Sequence, residues 1–125
     1  MKPTPPAAIT RALHARRAQL LATLVFPPEG LPGSLALSHR RCGSATCHCH
    51  TDAQGHPSWT LTFMAGGGKR VVHVPSDAVE AVRRRVDEGN AYKSAVAEVL
   101  AINAQVMVLD RQARRRAAVA KKATR

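Results

Sequence analysis

Three cysteines and three of the six histidines of this 125-residue chain fall within one stretch, RRCGSATCHCHTDAQGHPSW, from Arg40 to Trp59. The cysteines are spaced Cys42-x4-Cys47-x-Cys49, and six residues separate Cys49 from His56. Such a set of soft donors suits a tetrahedral Zn²⁺, which takes thiolate sulfur and imidazole nitrogen. The four-residue gap is ordinary for a zinc loop. The one-residue gap works if Cys47 and Cys49 sit on a short extended segment, where alternate side chains point the same way. Gly43 permits a tight turn at the first ligand, and Gly55 lets the chain bend back to deliver His56. His48, between two candidate ligands, is expected to point away from the metal; His39 and His50 stay open as alternatives to His56. Four protein ligands close the coordination shell, so the expected role is structural. Such a metal contributes on the order of 10 kcal/mol to folding. Arg40 and Arg41 beside Cys42 would favour the thiolate form.

Other cysteine chemistry fits less well. A disulfide between Cys47 and Cys49 would close a small strained ring. A nucleophilic cysteine needs an oriented base and an oxyanion hole, and no such arrangement is visible. Nor do paired carboxylates, a phosphate-binding loop or a catalytic triad stand out, so the expectation is a protein that is not an enzyme. The Pro-rich start, followed by Arg11, Arg16 and Arg17, does not read as a signal peptide, and no apolar run approaches a membrane span. The expected location is the cytoplasm, where clustered cysteines signal metal more often than disulfides.

Charge points to the partner. The formal net charge is +11, and the surplus concentrates at the end: residues 111–125 hold seven basic and no acidic side chains, whereas residues 76–110 hold four basic and six acidic ones. A cytoplasmic protein with this surplus is expected to bind a polyanion, with nucleic acid first and DNA ahead of RNA. The candidate contacts are Arg40, Arg41, Lys69 and Arg70 around the Cys/His loop and the turn, and Arg111, Arg114, Arg115, Arg116, Lys121 and Lys122 in the tail.

These groups need elements to hold them. The pattern predicts a helix over 7–25, with Ile9, Leu13, Leu20 and Leu24 near one face and Arg16 and Arg17 turned away. FPPEGLPGS ends it. SLALSH and SWTLTFM alternate as half-buried strands do, with Trp59, Leu61 and Phe63 on one face and Thr60 and Thr62 on the other. AGGGKR reads as a hairpin turn and RVVHV as the return strand. Ser76 is the expected N-cap of a helix to about Glu88, with Asp77 in its first turn. Glu88-Gly89-Asn90 is expected to break it before a second helix from Ala91 toward Ala120. There Ala95, Val99, Ile102, Val106, Leu109 and Ala113 recur at heptad-like spacing. From Ala91 to Ala118 such a helix measures about 42 Å. It could pair with a second chain as a homodimer or pack on the N-terminal helix.

The expected fold is α+β: an N-terminal helix, a small antiparallel sheet of about three strands carrying the Cys/His loop, a short helix and a long C-terminal helix. The division is 1–33 for the first helix and linker, 34–75 for the zinc-loop hairpin, 76–110 for the helical region, and 111–125 for a basic tail read as disordered. Aromatics are few, and Ala and Val bury little area each, so a stapled core is expected.

RRCGSATCHC, GHPSWTLTF and GGGKRVVHVP together resemble a family of short bacterial and archaeal proteins known only as a domain of unknown function. Its pattern is R-C-G-K-x-x-C-x-C, then G-x-x-x-W-x-L, a Gly-Lys turn, a strand ending in V-P and a helical C-terminus. Arg41, Cys42, Gly43, Cys47, Cys49 and Trp59 fall on it. Ser44 stands where a lysine is usual and Ser58 where an aromatic is common. The resemblance implies no activity, although some members resemble accessory genes of mobile elements. The hairpin-then-helix order also looks like the small sheet domains with which some integrases enter DNA, and would use Thr60, Thr62, Lys69, Arg70 and His73. The expected function is that of a small zinc-stabilised, nucleic-acid-binding accessory protein. The alternative is a protein-interaction or dimerisation module whose zinc loop is only a staple.

Overall fold

The computed structural model describes residues 5–40, 46 and 55–124. It is α+β, as the sequence predicts. Helix α1 (Pro6–Thr23) is followed by strands β1 (Ser34–Arg40), β2 (His56–Ala65) and β3 (Gly68–Val74), a 3₁₀ turn (Ser76–Ala78), and helix α2 (Val79–Ala123). The described residues fold as two compact units. One is Phe26–Ala91; the other joins the chain up to Val25 with the chain from Tyr92 onward.

The first unit is built on a three-stranded antiparallel meander in the order β1-β2-β3. Gly66 and Gly67 link β2 to β3 with φ of 59° and 78°. Two consecutive positive φ values make the tight hairpin turn whose twist matches the strands. The register pairs Leu61 with Leu35 on one side and Val72 on the other, and Trp59 with Leu37 and Val74. Paired residues share a face, so one face is mostly apolar, as the alternation predicts, with His39 and Arg70 toward its ends. Leu61 and Val74 on that face are buried with Val79 and Val86 from the first turns of α2. Leu31, Leu35, Trp59, Phe63 and Val82 complete the cluster.

The helix does not break at Glu88-Gly89-Asn90. One helix of 45 residues runs through it. The sequence reading treats Gly89 as a stop signal; its role is close approach. The Pro/Gly segment before β1 crosses α2 there, and a Cβ on Gly89 would collide with the Leu31 carbonyl oxygen and lie 2.9 Å from its amide nitrogen. The crossing is tied by Leu31 N–H donating to Arg85 O at 2.9 Å, Arg85 Nε donating to Glu29 O at 2.8 Å, and Asn90 Nδ2 donating to Gly33 O at 3.1 Å. Residues 26–33 therefore fold with the sheet. Ser76 is not an N-cap: it opens the 3₁₀ turn, where Ala78 N–H bonds Pro75 O at 2.9 Å and no side chain caps.

In the second unit, α1 starts with Pro6 at its first turn, where a missing N–H costs nothing. Leu20 is buried with Ile102 and Val106, and Leu13, Ala95 and Val99 pack around them. This is the apolar spacing the sequence predicts, covered by the chain's own first helix. Arg16 and Arg17 are not turned away. Arg16 Nε donates to Glu98 Oε2 at 2.7 Å and Nη2 to Oε1 at 3.1 Å, and Arg17 Nη1 donates to Asn103 Oδ1 at 2.7 Å. Long arginine stems reach around a helix edge that a face-by-face reading assigns to solvent.

The Arg16 hydrogen bonds hold the Glu98 carboxyl below the usual carboxylate range, against an opposing desolvation effect. A lowered carboxylate stabilises the fold at neutral pH and loses that effect as pH falls through its lowered value. Glu98→Gln should therefore be less stable than the parent at pH 7, with the two converging in acid. Urea titrations across pH test this, and equal stabilities at pH 7 would rule the pair out as a contributor. The effect shrinks in salt, because both side chains are substantially exposed.

Candidate metal centre and basic surfaces

The antiparallel register fixes the foot of the Cys/His loop. Arg40, the last residue of β1, pairs with His56, the first of β2. The chain between them, 41–55, is thus closed at its base by strand pairing. Gly55 has φ of 73° directly before His56, a conformation glycine takes at no steric cost. His56 is half-buried at this junction. His39 is exposed and lies on the other face of the sheet, in register with Pro57 and on the side of Trp59. Arg41, Cys42, Cys47, Cys49 and the alternative ligand His50 lie outside the described residues. Among the described residues no three His, Cys, Asp or Glu side chains gather as a metal cage. His56 is the one residue of the predicted ligand set that is described, and it stands at the foot of the loop as the first residue of β2. Three thiolates and an imidazole are the donor chemistry of structural Zn²⁺.

The basic groups separate by face. Across from the apolar face, Arg40 and His56 share a side with Ser58, Thr60 and Thr62, and with Lys69, Val71 and His73 of β3. His73 pairs with Thr60, and its Nδ1 lies 3.5 Å from Ser58 Oγ. None of the described residues of the sheet is acidic. Arg70 pairs with Phe63 and so lies on the opposite face from Lys69. Thr60, Thr62, Lys69 and His73 share one face of the sheet and Arg70 lies on the other, since adjacent strand residues point oppositely.

The three consecutive arginines of α2 are partly engaged. The Arg83 guanidinium lies 5.3 Å from the Trp59 ring centre and its Nη1 lies 2.6 Å from Glu80 Oε1. Arg85 is bonded to Glu29. The Arg83–Trp59 contact was not predicted; the signal was an arginine one turn from the apolar stripe that meets the strand's large aromatic.

The basic tail is not a disordered segment as far as Thr124. Residues 111–123 are the last turns of α2, exposed along their whole length. Loss of the apolar stripe suggested fraying, but Ala, Arg, Lys and Gln are the strongest helix formers, and cations near a helix C-terminus are favoured by its dipole. Lys121 and Lys122 occupy that last turn. Among the described residues, no acidic group pairs with Arg111, Arg114, Arg115, Arg116, Lys121 or Lys122.

No described helix is long and apolar enough to cross a membrane. Residues 10–84 match the family described as Domain of unknown function (DUF6788). The match spans more than half of the chain and ends before the basic end of α2. No curated protein and no solved structure matches.

Proposed function

The chain belongs to the DUF6788 family, whose function is unknown, and from that premise we propose that it is a small zinc-stabilised nucleic-acid-binding accessory protein of the cytoplasm. The observation that carries this reading is the end of α2: six described cations on an exposed helix with no acidic residue after Asp110. Phosphate is the commonest partner for such a surface, and release of its counterions drives binding. The acid-free face of the sheet, with Arg40, Lys69 and His73 among Thr60 and Thr62, is a second cationic surface of the same sign. Cys42, Cys47, Cys49 and His56 would hold Zn²⁺. The metal, when bound, supplies no reaction; it ties the loop to the foot of β1 and β2. This role needs no catalytic group, and the protein is proposed not to be an enzyme.

Deletion of residues 111–125 tests the proposal. The full chain should bind nucleic acid in low salt and lose about a thousandfold in affinity between about 50 and 200 mM salt. The truncated chain should bind more weakly and with a shallower salt dependence. Unchanged binding by the truncated chain would remove the helix end from the mechanism.

A second reading has its own observation. On α2, Leu100, Met107 and Val108 are 63%, 54% and 47% exposed, and an open apolar groove of about 430 Å³ runs beside Ile9, Leu13 and Leu109. A dimerisation module, with two copies pairing through this part of α2, would cover them. A stable dimer that never binds nucleic acid at any salt would favour it.

A further inference from the structure

The six cations at the end of α2 are not scattered. At 3.6 residues per turn, Arg114 and Lys121 fall in one row and Arg115 and Lys122 in another, both pairs seven residues apart. Arg111 and Ala118 form the row between them. The reverse side carries Ala113, Ala117 and Ala120 with a single cation, Arg116. Within each flanking row the residues are about 10.5 Å apart along the axis. All of them are exposed and belong to one regular helix.

We propose that this helix end docks lengthwise in the major groove of double-stranded DNA, its two flanking rows on the phosphates of the two strands and its middle row toward the groove floor. The proposal rests on the nucleic-acid reading above and names the form of nucleic acid and the pose. Three observations select this occupant. The surface is purely cationic, so the partner is a polyanion. Four of its six charges form two parallel lines on either side of a centre row that carries only Arg111, which matches two phosphate backbones flanking a groove and not one flexible strand. The centre holds the methyl of Ala118, which allows close approach. The B-form major groove, about 12 Å wide, admits a helix of about that diameter. The A-form RNA major groove is too deep and narrow to admit it. An anionic membrane is a poorer match, because the side behind the cations offers mostly alanine methyls for burial.

The experiment is competition binding by fluorescence anisotropy on the full-length chain. Its probes are a DNA duplex, an RNA duplex of the same sequence and the DNA single strand. Helix content of each variant is checked by circular dichroism. The DNA duplex should compete at least about tenfold better than the RNA duplex. Arg114→Ala with Lys121→Ala, or Arg115→Ala with Lys122→Ala, should each lower the log–log salt slope by about 1.8, the value for two lost phosphate contacts. Arg116→Ala, on the reverse side, should lower it by less than about 0.5. Ala118→Trp keeps every charge, yet should abolish the preference for the DNA duplex by blocking the centre row. Equal competition by the RNA duplex, an Arg116 effect as large as a row's, or an Ala118→Trp variant with undiminished preference would overturn the groove pose while leaving nucleic-acid binding in place. Absence of binding to all three probes would overturn the broader reading with it.

Discussion

Replacing Gly89 with alanine destabilises this protein, although alanine is the better helix former by about 1 kcal/mol. The position lies inside α2, where intrinsic propensity alone predicts a gain. The added methyl would collide with the Leu31 backbone, its carbonyl oxygen first. A side chain could swing aside, but here the obstacle is main chain held by the Leu31–Arg85 and Asn90–Gly33 hydrogen bonds. Relief requires the crossing to lift off the helix, which also loosens Leu31 from the core cluster around Leu61. The expected loss is about 3 kcal/mol, at the upper end for overpacking. Gly68→Ala is the comparison: its Cβ would meet only Ala65 O at 3.9 Å, and its effect should stay below about 1 kcal/mol. Equilibrium unfolding in urea measures both. A Gly89→Ala variant as stable as the parent would mean the segment does not cross the helix at that residue.

Removal of metal should have a larger effect still. Under the zinc proposal, a chelator at neutral pH strips Zn²⁺ from Cys42, Cys47, Cys49 and His56 and destabilises the sheet unit by an amount on the order of 10 kcal/mol. Among the described residues, four buried side chains form that unit's core, Leu61, Val74, Val79 and Val86, each contributing about 1.5–3 kcal/mol on burial. The metal term is as large as all four together, so chelation should abolish cooperative melting of the sheet. Cys42→Ser, Cys47→Ser and Cys49→Ser should each do the same. His56→Ala separates the choices of fourth ligand: if it retains stoichiometric zinc, His50 or His39 takes that place. Native protein that contains no transition metal and melts cooperatively in chelator would end the zinc proposal.

Much of the fold was readable because its signals are local. The alternation of Trp59, Leu61 and Phe63 against Thr60 and Thr62 encodes a two-faced strand, and Gly66-Gly67 encodes a tight turn. The buried stripe of Ile102 and Val106 was visible at its 4-3 spacing. What escaped was set by tertiary contact. Gly89 looks like a helix stop until the Pro/Gly segment is laid across it. Arg16 and Arg17 look solvated until Glu98 and Asn103 are brought opposite them. Lys69 and Arg70 look like one basic pair until register puts them on opposite faces. The helical end was legible in its alanines and arginines, and was missed by weighing the absent apolar stripe above intrinsic propensity. Of the candidate metal site, the spacing was readable and the placing of His56 at the strand foot follows from pairing with Arg40.

The opposite facing of Lys69 and Arg70 has one more consequence. β3 is an outer strand of a three-stranded sheet, and Val71 and Val72 beside these cations are 57% and 47% exposed. A bare, valine-rich margin is a template on which foreign strands add and aggregates grow. With one cation above the sheet and one below, an incoming strand meets like-signed repulsion or a desolvation penalty from either side. The two residues thus act as gatekeepers against aggregation, whatever else they touch.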